Sequence, residues 1–318
     1  MDSKLVPATI TFYQPPVMPA WAILRGAAIS DTDAAFASGT ALTLLDNLVR
    51  AQPDWAGAWR QRLALRCAVS AARLLGRNED EAALRDAWLL RSAGDEPGPA
   101  GSILAAYRQL TRRSTTISMK TLQDIALLLG IGWSDELAAI PGMVDDIVQT
   151  GKAPPFAAAS IAAGVCALRR DAETLAWWLA DWVLARSMRW ERPVPLLMAQ
   201  RFSSAAFRAT GGRGRVQPGD EAFDRAVCLA LAQGAADACR LATEIARRAD
   251  RLSAAVPKLR TKGAGEVVRL LLDEDALSGS SASTKLSRWA NSRLFERLVS
   301  LDAVRELSGR STFRIYGL

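Results

Sequence analysis

Apolar residues recur every three or four positions along most of the chain, the period of helices that bury one face. The cleanest instance is 287–301, where Ala290, Leu294, Leu298 and Leu301 are spaced by four, four and three residues. Phe295 and Val299 widen this stripe. Ser287 is a good N-cap, because its hydroxyl accepts from a first-turn N–H that has no helical partner. The opposite face carries Arg288, Ser292 and Glu296 in one row and Trp289 with Arg293 in the next.

Past this helix the pattern changes from helical to alternating. Two short runs, 304–307 and 312–316, flank a Ser-Gly tip, which is the pattern of a β-hairpin. The alternation points Leu307, Phe313 and Ile315 toward the helices and Arg305, Arg310 and Arg314 outward. Upstream, 264–272 offers an apolar helix through Val267, Val268, Leu270, Leu271 and Leu272. Between the two helices, 278–284 is Ser-rich and a poor helix former, so the middle helix is the weakest element of the set. The predicted fold is mainly α: a multi-helix body followed by a C-terminal winged helix-turn-helix of three helices plus a β-hairpin wing.

The rest reads as a succession of capped helices. Residues 1–20 form an arm punctuated by Pro7, Pro15, Pro16 and Pro19, with a short strand expected at 9–13; it lies over the body or crosses to a second subunit. The helical body takes 21–256, and the linker with the winged helix takes 257–318. Ser30 or Asp31 opens a helix to about 51, and Asp54 opens 55–75, ended by Gly76. Asn78 is expected to cap a third, whose Glu79, Asp80 and Glu81 suit the first turn and need no metal to explain them. Gly94 closes that helix, and 97–101 leads into a fourth ending near 113. Between 118 and 140, Ala126, Gly130 and Ser134 have helix-turn-helix spacing. Asp135 and Glu136 would repel phosphate, however, so the expectation is an ordinary αα-corner stopped by Pro141.

Pro154 opens an Ala-rich helix to about 169, and 171–188 carries Trp177, Trp178 and Trp182, with Trp190 beyond. Apolar neighbours mark these indoles as core, ahead of a dimer contact or a ligand box. The loop 209–220 contains Gly211-Gly212-Arg213-Gly214-Arg215; it lacks the phosphate-loop pattern and reads as a flexible basic loop. From 221 to 255 runs a long Ala-rich helix, suited to a core or to pairing with its twin in a homodimer, and Gly234 is a candidate kink.

Composition removes several classes of chemistry. The 318 residues include no histidine, which excludes a His general base, a Ser-His-Asp triad and His-ligated zinc. Cys67, Cys166, Cys228 and Cys239 sit singly in apolar runs, as buried thiols of a reducing compartment do. No metal, cofactor or enzyme activity is expected. The longest apolar stretch, 156–168, has 13 residues and is too short to span a membrane. The Pro-rich start with Asp2 is unlike a signal peptide, so a cytoplasmic protein is expected. The formal charge is +7, and 251–318 carries twelve Lys/Arg against seven Asp/Glu. From 264 onward the count is eight against seven, so the surplus sits on Arg251, Lys258, Arg260 and Lys262 in the linker.

Layout and charge together make double-stranded DNA the expected partner. A recognition helix brings its first residues to base edges and a basic wing reaches phosphates. The residues that would do so are Arg288, Ser292 and Arg293 on the helix and Arg310 and Arg314 on the wing. Two alternatives stay open. Winged helices also hold proteins, a role that suits an outward Trp289, and solvated arginines on a structural module need no ligand.

A family resemblance adds to this. The run 293–301 (Arg-Leu-Phe-Glu-Arg-Leu-Val-Ser-Leu), with 304–310 and 313–318 after it, resembles the end of an uncharacterised alphaproteobacterial family, domain-of-unknown-function family 1403. Trp-Arg-Gln-Arg-Leu-Ala-Leu at 59–65 and Leu-Ala-Trp-Trp-Leu-Ala-Asp-Trp at 175–182 resemble it too, so the likeness spans nearly the whole chain. It implies a bacterial cytoplasmic protein, often plasmid-associated, with no activity established; transcriptional regulation or plasmid and chromosome maintenance would suit such a protein. The C-terminal run is also similar in architecture to the winged helix appended to some Fic-type proteins. A Fic-like body here would lack that family's histidine-centred motif.

Overall fold

The computed structural model describes residues 13–24, 29–91, 94–112, 117–203, 205–208, 214–259, 261, 263–280, 282 and 285–318. Its helices are α1 (Asp31–Ala51), α2 (Ala56–Leu74), α3 (Glu81–Leu89), α4 (Gly98–Arg112), α5 (Met119–Leu128) and α6 (Ile140–Gln149). They continue with α7 (Pro154–Leu168), α8 (Glu173–Ser187), α9 (Leu197–Ser203), α10 (Phe223–Ala255), α11 (Ala264–Asp273) and α12 (Arg288–Ser300). Three short strands, β1 (Leu277–Ser278), β2 (Arg305–Glu306) and β3 (Ile315–Gly317), form an antiparallel sheet in the order β1-β3-β2.

Capping chemistry sets most boundaries. A full capping box opens α1: the Ser30 hydroxyl accepts from the Asp33 N–H at 3.1 Å, and the Asp33 carboxylate accepts from the Ser30 N–H at 3.3 Å. After α2 the chain turns at Gly76, whose φ of +75° is cheap only for glycine. The cap of α3 is Asp80, not Asn78; its carboxylate accepts from the Ala83 N–H at 2.8 Å. Glu79 turns aside to pair with Arg77, and Glu81 pairs with Arg85 at 2.9 Å, so each member of the acidic trio has its own task. Pro141 lies in the first turn of α6 and does not end a helix, because a first turn needs no N–H from it. The acidic residues before it form a 3-10 turn, Asp135–Ala139.

The centre of the molecule is α8. Trp177, Trp178 and Trp182 are buried, as is Trp190 beyond its end. Trp178 Nε1 donates to the Ala106 carbonyl of α4 at 3.0 Å, and Trp177 Nε1 donates to Glu173 at 3.0 Å. Trp59 of α2 similarly donates to the Ala238 carbonyl of α10 at 2.9 Å. Indoles with their N–H groups satisfied inside the chain are core elements, as the sequence pattern implied. Ala158, Ala159 and Ala162 let α7 approach α8 closely, and α10 lays its buried Ala226, Ala230 and Ala238 seam among α1, α7 and α9. The long helix is thus used inside its own chain.

One buried carboxylate organises the turn after α8. Asp181 accepts the N–H groups of Leu196 at 2.9 Å and Leu197 at 3.1 Å, at the start of α9. Burial pushes its pKa up to about 7, although the two backbone hydrogen bonds pull the other way. The strand expected at 9–13 falls outside the described residues except for Tyr13, which is not in a strand. Tyr13 packs its ring 6.3 Å from that of Trp55, over the body. Among the described residues no helix is long and apolar enough to cross a membrane.

Candidate nucleic-acid interface

The last helix, α12, is built as its sequence demands. The Ser287 hydroxyl accepts from the Ala290 N–H at 3.2 Å and opens the helix where expected. Leu294, Phe295 and Leu298 are buried, and Phe295 stacks on Tyr316 of β3 with centroids 4.6 Å apart and planes within 11°. That stack fixes the helix to the sheet. The sheet in turn pairs Leu277 with Tyr316 on one side and Glu306 with Tyr316 on the other.

Three expectations need correction. Among the described residues no helix lies between β1 and α12, so two helices stand where three were predicted. The serines explain this: the Ser278 hydroxyl engages Ser280 through both its hydroxyl and its N–H, local bonding that competes with helix formation. Val299 is 43% exposed, and buried Asn291 takes an inward place, its Nδ2 donating to the Leu286 carbonyl at 3.3 Å. Phe313, expected inward, is 62% exposed. Its φ of +51° breaks the extended backbone before β3 begins, so the alternation that buries Ile315 does not extend back to Phe313.

The polar face of α12 emerges as read. Arg288 and Arg293 are exposed and Ser292 is half-buried, while Trp289 is 79% exposed. Among the described residues neither Arg288 nor Arg293 makes an ion pair, and exposed Arg297 continues the same face. The hairpin arginines are placed differently. Arg310 pairs bidentately with Asp86 of α3, at 2.6 and 2.7 Å, and donates to the Phe313 carbonyl at 2.9 Å. The Asp86 hydrogen bonds hold its pKa above the ordinary value. Arg314 is exposed; the Tyr316 hydroxyl and then Glu306, at 3.8 Å, raise its pKa. The structure therefore gathers Arg288, Ser292 and Arg293 on one helix face and holds Arg310 against α3.

A buried ionic junction, absent from the sequence reading, fastens these elements to the body. Asp275, between α11 and β1, is 6% exposed and pairs with Arg62 of α2 and with Arg85 of α3 (2.7 Å to Arg85 Nε). Burial would push its pKa up, but the two guanidinium groups outweigh it and hold the carboxyl down at about 2. Arg62 also donates to the carbonyls of Asp275 at 3.2 Å and Leu318 at 3.3 Å. Neighbouring Glu274 binds Arg108 and Arg112 of α4. Backbones approach closely here: a Cβ on Gly317 would lie 2.5 Å from the Asp275 carbonyl oxygen, and one on Gly57 would lie 2.6 Å from the Asp273 Cα. The available signal was Arg60-Gln61-Arg62, three polar residues in succession inside a helix flanked by apolar turns; all three are buried.

The charges expected in the linker are only partly described. Arg251 pairs with Asp302 and Lys258 is exposed, while Arg260 and Lys262 lie outside the described residues. Among the described residues no three His, Cys, Asp or Glu side chains come together as a metal site. The four cysteines are free thiols. Burial pushes Cys166 up to about 12 and Cys228 and Cys239 to about 11, which leaves them poor nucleophiles.

A family model described as a protein of unknown function, DUF1403, matches residues 7–318, and the chain belongs to that family. No curated protein and no solved structure matches it.

Proposed function

We propose that the protein is a non-enzymatic, cytoplasmic binder of double-stranded DNA, acting in transcriptional regulation or in plasmid or chromosome maintenance, that reads its target with the polar face of α12. The order α11-β1-α12-β2-β3, with β3 between β1 and β2, supports a winged helix that lacks a middle helix among the described residues. The observation that carries the reading is the exposed pair Arg288 and Arg293. Arg310 is tied to Asp86 and Arg314 lies 3.8 Å from Glu306, whereas these two, like Arg297 on the same face, make no ion pair among the described residues. Arg presents a planar donor fork to guanine or phosphate, and Ser292 beside it suits a phosphate oxygen. Of the two hairpin arginines Arg314 is the better placed to reach the backbone, since it is exposed with Glu306 only at 3.8 Å while Asp86 holds Arg310 bidentately.

Fluorescence anisotropy with a mixed-sequence duplex, repeated across salt concentrations, tests this. Saturable binding that weakens with salt is expected, with the log–log slope falling by about 0.9 for each phosphate contact removed. Arg288→Ala with Arg293→Ala should weaken and flatten the response. A protein that binds no duplex at low salt, or a double variant that binds unchanged, overturns the reading.

Trp289, 79% exposed on the same face, favours a second reading in which α12 docks on a protein. Trp289→Ala separates the two. An indole that wedges or stacks against DNA loses duplex affinity on truncation, whereas one reserved for a protein partner leaves duplex affinity intact.

A further inference from the structure

Away from α12, a cleft of about 1090 Å³ opens where the end of α1, the start of α2, the end of α4 and the turn after α8 meet. Six arginines line it against three carboxylates, Asp54, Glu191 and Asp273. Some of that charge is used: Arg50 pairs with Asp46 at 2.8 Å, Arg112 with Glu274, and Arg186 lies 3.9 Å from Asp145. Glu191 accepts from Gln52 Nε2 at 2.9 Å. Arg189 and Arg192 are exposed and make no ion pair among the described residues.

The residue the fold leaves unexplained is Arg60. It is 8% exposed, yet its Nε has no hydrogen-bond partner and its guanidinium makes no ion pair among the described residues. Its guanidinium lies over the Trp59 ring, 5.6 Å from the centroid, but a buried cation with neither an ion pair nor a bonded Nε is costly, and folds keep such groups where something else completes them. Burial, and then the nearby Arg192, lower its pKa to about 10, with Glu191 opposing. Beside it the Gln61 Oε1 is also buried and without a donor, while its Nε2 donates to Thr111 at 2.9 Å. The same wall contains the first turn of α2, a 19-residue helix whose N-cap, Trp55, offers no side-chain hydrogen bond. The Ala56 N–H donates to the Pro53 carbonyl at 2.8 Å, and the Asp273 carboxylate lies against Gly57, so it is the dipole of this end, beside Arg60, that favours an anion.

We propose that this cleft binds a small phosphate-bearing molecule. Arg60 and the α2 N-terminus would hold the phosphate, Arg189 and Arg192 would close over it from the rim, and Gln61 would accept from a hydroxyl or amino group of the same molecule. The recess is of the size that small ligands and cofactors occupy. A recessed guanidinium suits a compact ligand better than the rigid backbone of a duplex.

Calorimetric titration of the full-length protein with inorganic pyrophosphate at low salt tests the proposal. Saturable binding at one site per chain is expected, weakened by about tenfold or more in Arg60→Met through loss of a charge-assisted hydrogen bond. Without pyrophosphate, Arg60→Met should melt at the wild-type temperature or higher, because it removes an unpaired buried charge; a merely structural arginine would lower it. Arg189→Ala with Arg192→Ala, both at exposed positions, should weaken pyrophosphate binding with no change in melting. Absence of saturable binding, or affinities unchanged in both variants, overturns the proposal. A duplex that displaces pyrophosphate and loses its own affinity in Arg60→Met also overturns it, and assigns the cleft to nucleic-acid phosphates. Because α12 takes no part in these variants, failure of the duplex reading leaves the pyrophosphate result standing.

Discussion

Asp275 shows how much a single side chain decides in this molecule. It ties α2 and α3 to the start of the sheet through Arg62 and Arg85, and all three side chains are buried. Removing one partner from such a group leaves the other charges uncompensated, which costs about 3–5 kcal/mol. Asp275→Ala is therefore expected to lower the urea-unfolding free energy by that order, whereas Asp31→Ala, which removes an ion pair from an exposed carboxylate, should leave it nearly unchanged. None of this was legible beforehand, because an acid at 275 and arginines at 62 and 85 have no local pattern to connect them. Only the polar triplet 60–62, set in a helix that Trp59, Leu63 and Leu65 bury, hinted that charge went inward. Arg288, Ser292 and Arg293 were legible for the opposite reason: a regular apolar stripe on one face of α12 fixes which residues the other face must show.

At the scale of elements, sequence gave reliable boundaries wherever local chemistry sets them. Ser30 and Ser287 each cap the helix that follows. Truncating such a cap costs about 1 kcal/mol, so Ser287→Ala should lower stability by that order and fray the first turn that carries Arg288 and Trp289. A loss of duplex affinity in the same variant, measured by anisotropy, would connect the order of that turn to recognition. Boundaries failed where the deciding contact is distant or where two candidates compete, as at Asn78 and Asp80. The docking of α11 is a case of distance. The Gly57 Cα faces Asp273 so closely that an added Cβ would sit 2.6 Å from its Cα, and no feature around 57 in the sequence announces this. Gly57→Ala is expected to cost about 1–3 kcal/mol by overpacking, read as a drop in denaturation midpoint. An unchanged midpoint would mean that α11 moves freely against α2.

For the whole molecule, two buried carboxylates impose opposite pH dependences. Asp275 titrates at about 2 when folded, below its ordinary 3.8, so the unfolded chain holds the proton more tightly. Its contribution, about 2 kcal/mol by linkage, is full above roughly pH 4 and is lost as pH falls through 2. Asp181 is held at about 7, above 3.8, so the folded chain holds that proton more tightly. Its protonated form favours folding below about pH 4, and as pH rises through 7 this advantage, of order 4 kcal/mol, is lost. Between these windows, near pH 4, both contributions are close to their best. Unfolding free energies measured from pH 3 to 8 should therefore peak on the acid side of neutrality. Asp181→Asn should flatten the slope between about 4 and 7 and leave the acid limb, which belongs to Asp275, in place. A wild-type curve that rises steadily to pH 8 would show that Asp181 is ionised in the folded protein, satisfied by the Leu196 and Leu197 N–H groups. In that case its two hydrogen bonds, and not its proton, hold the start of α9.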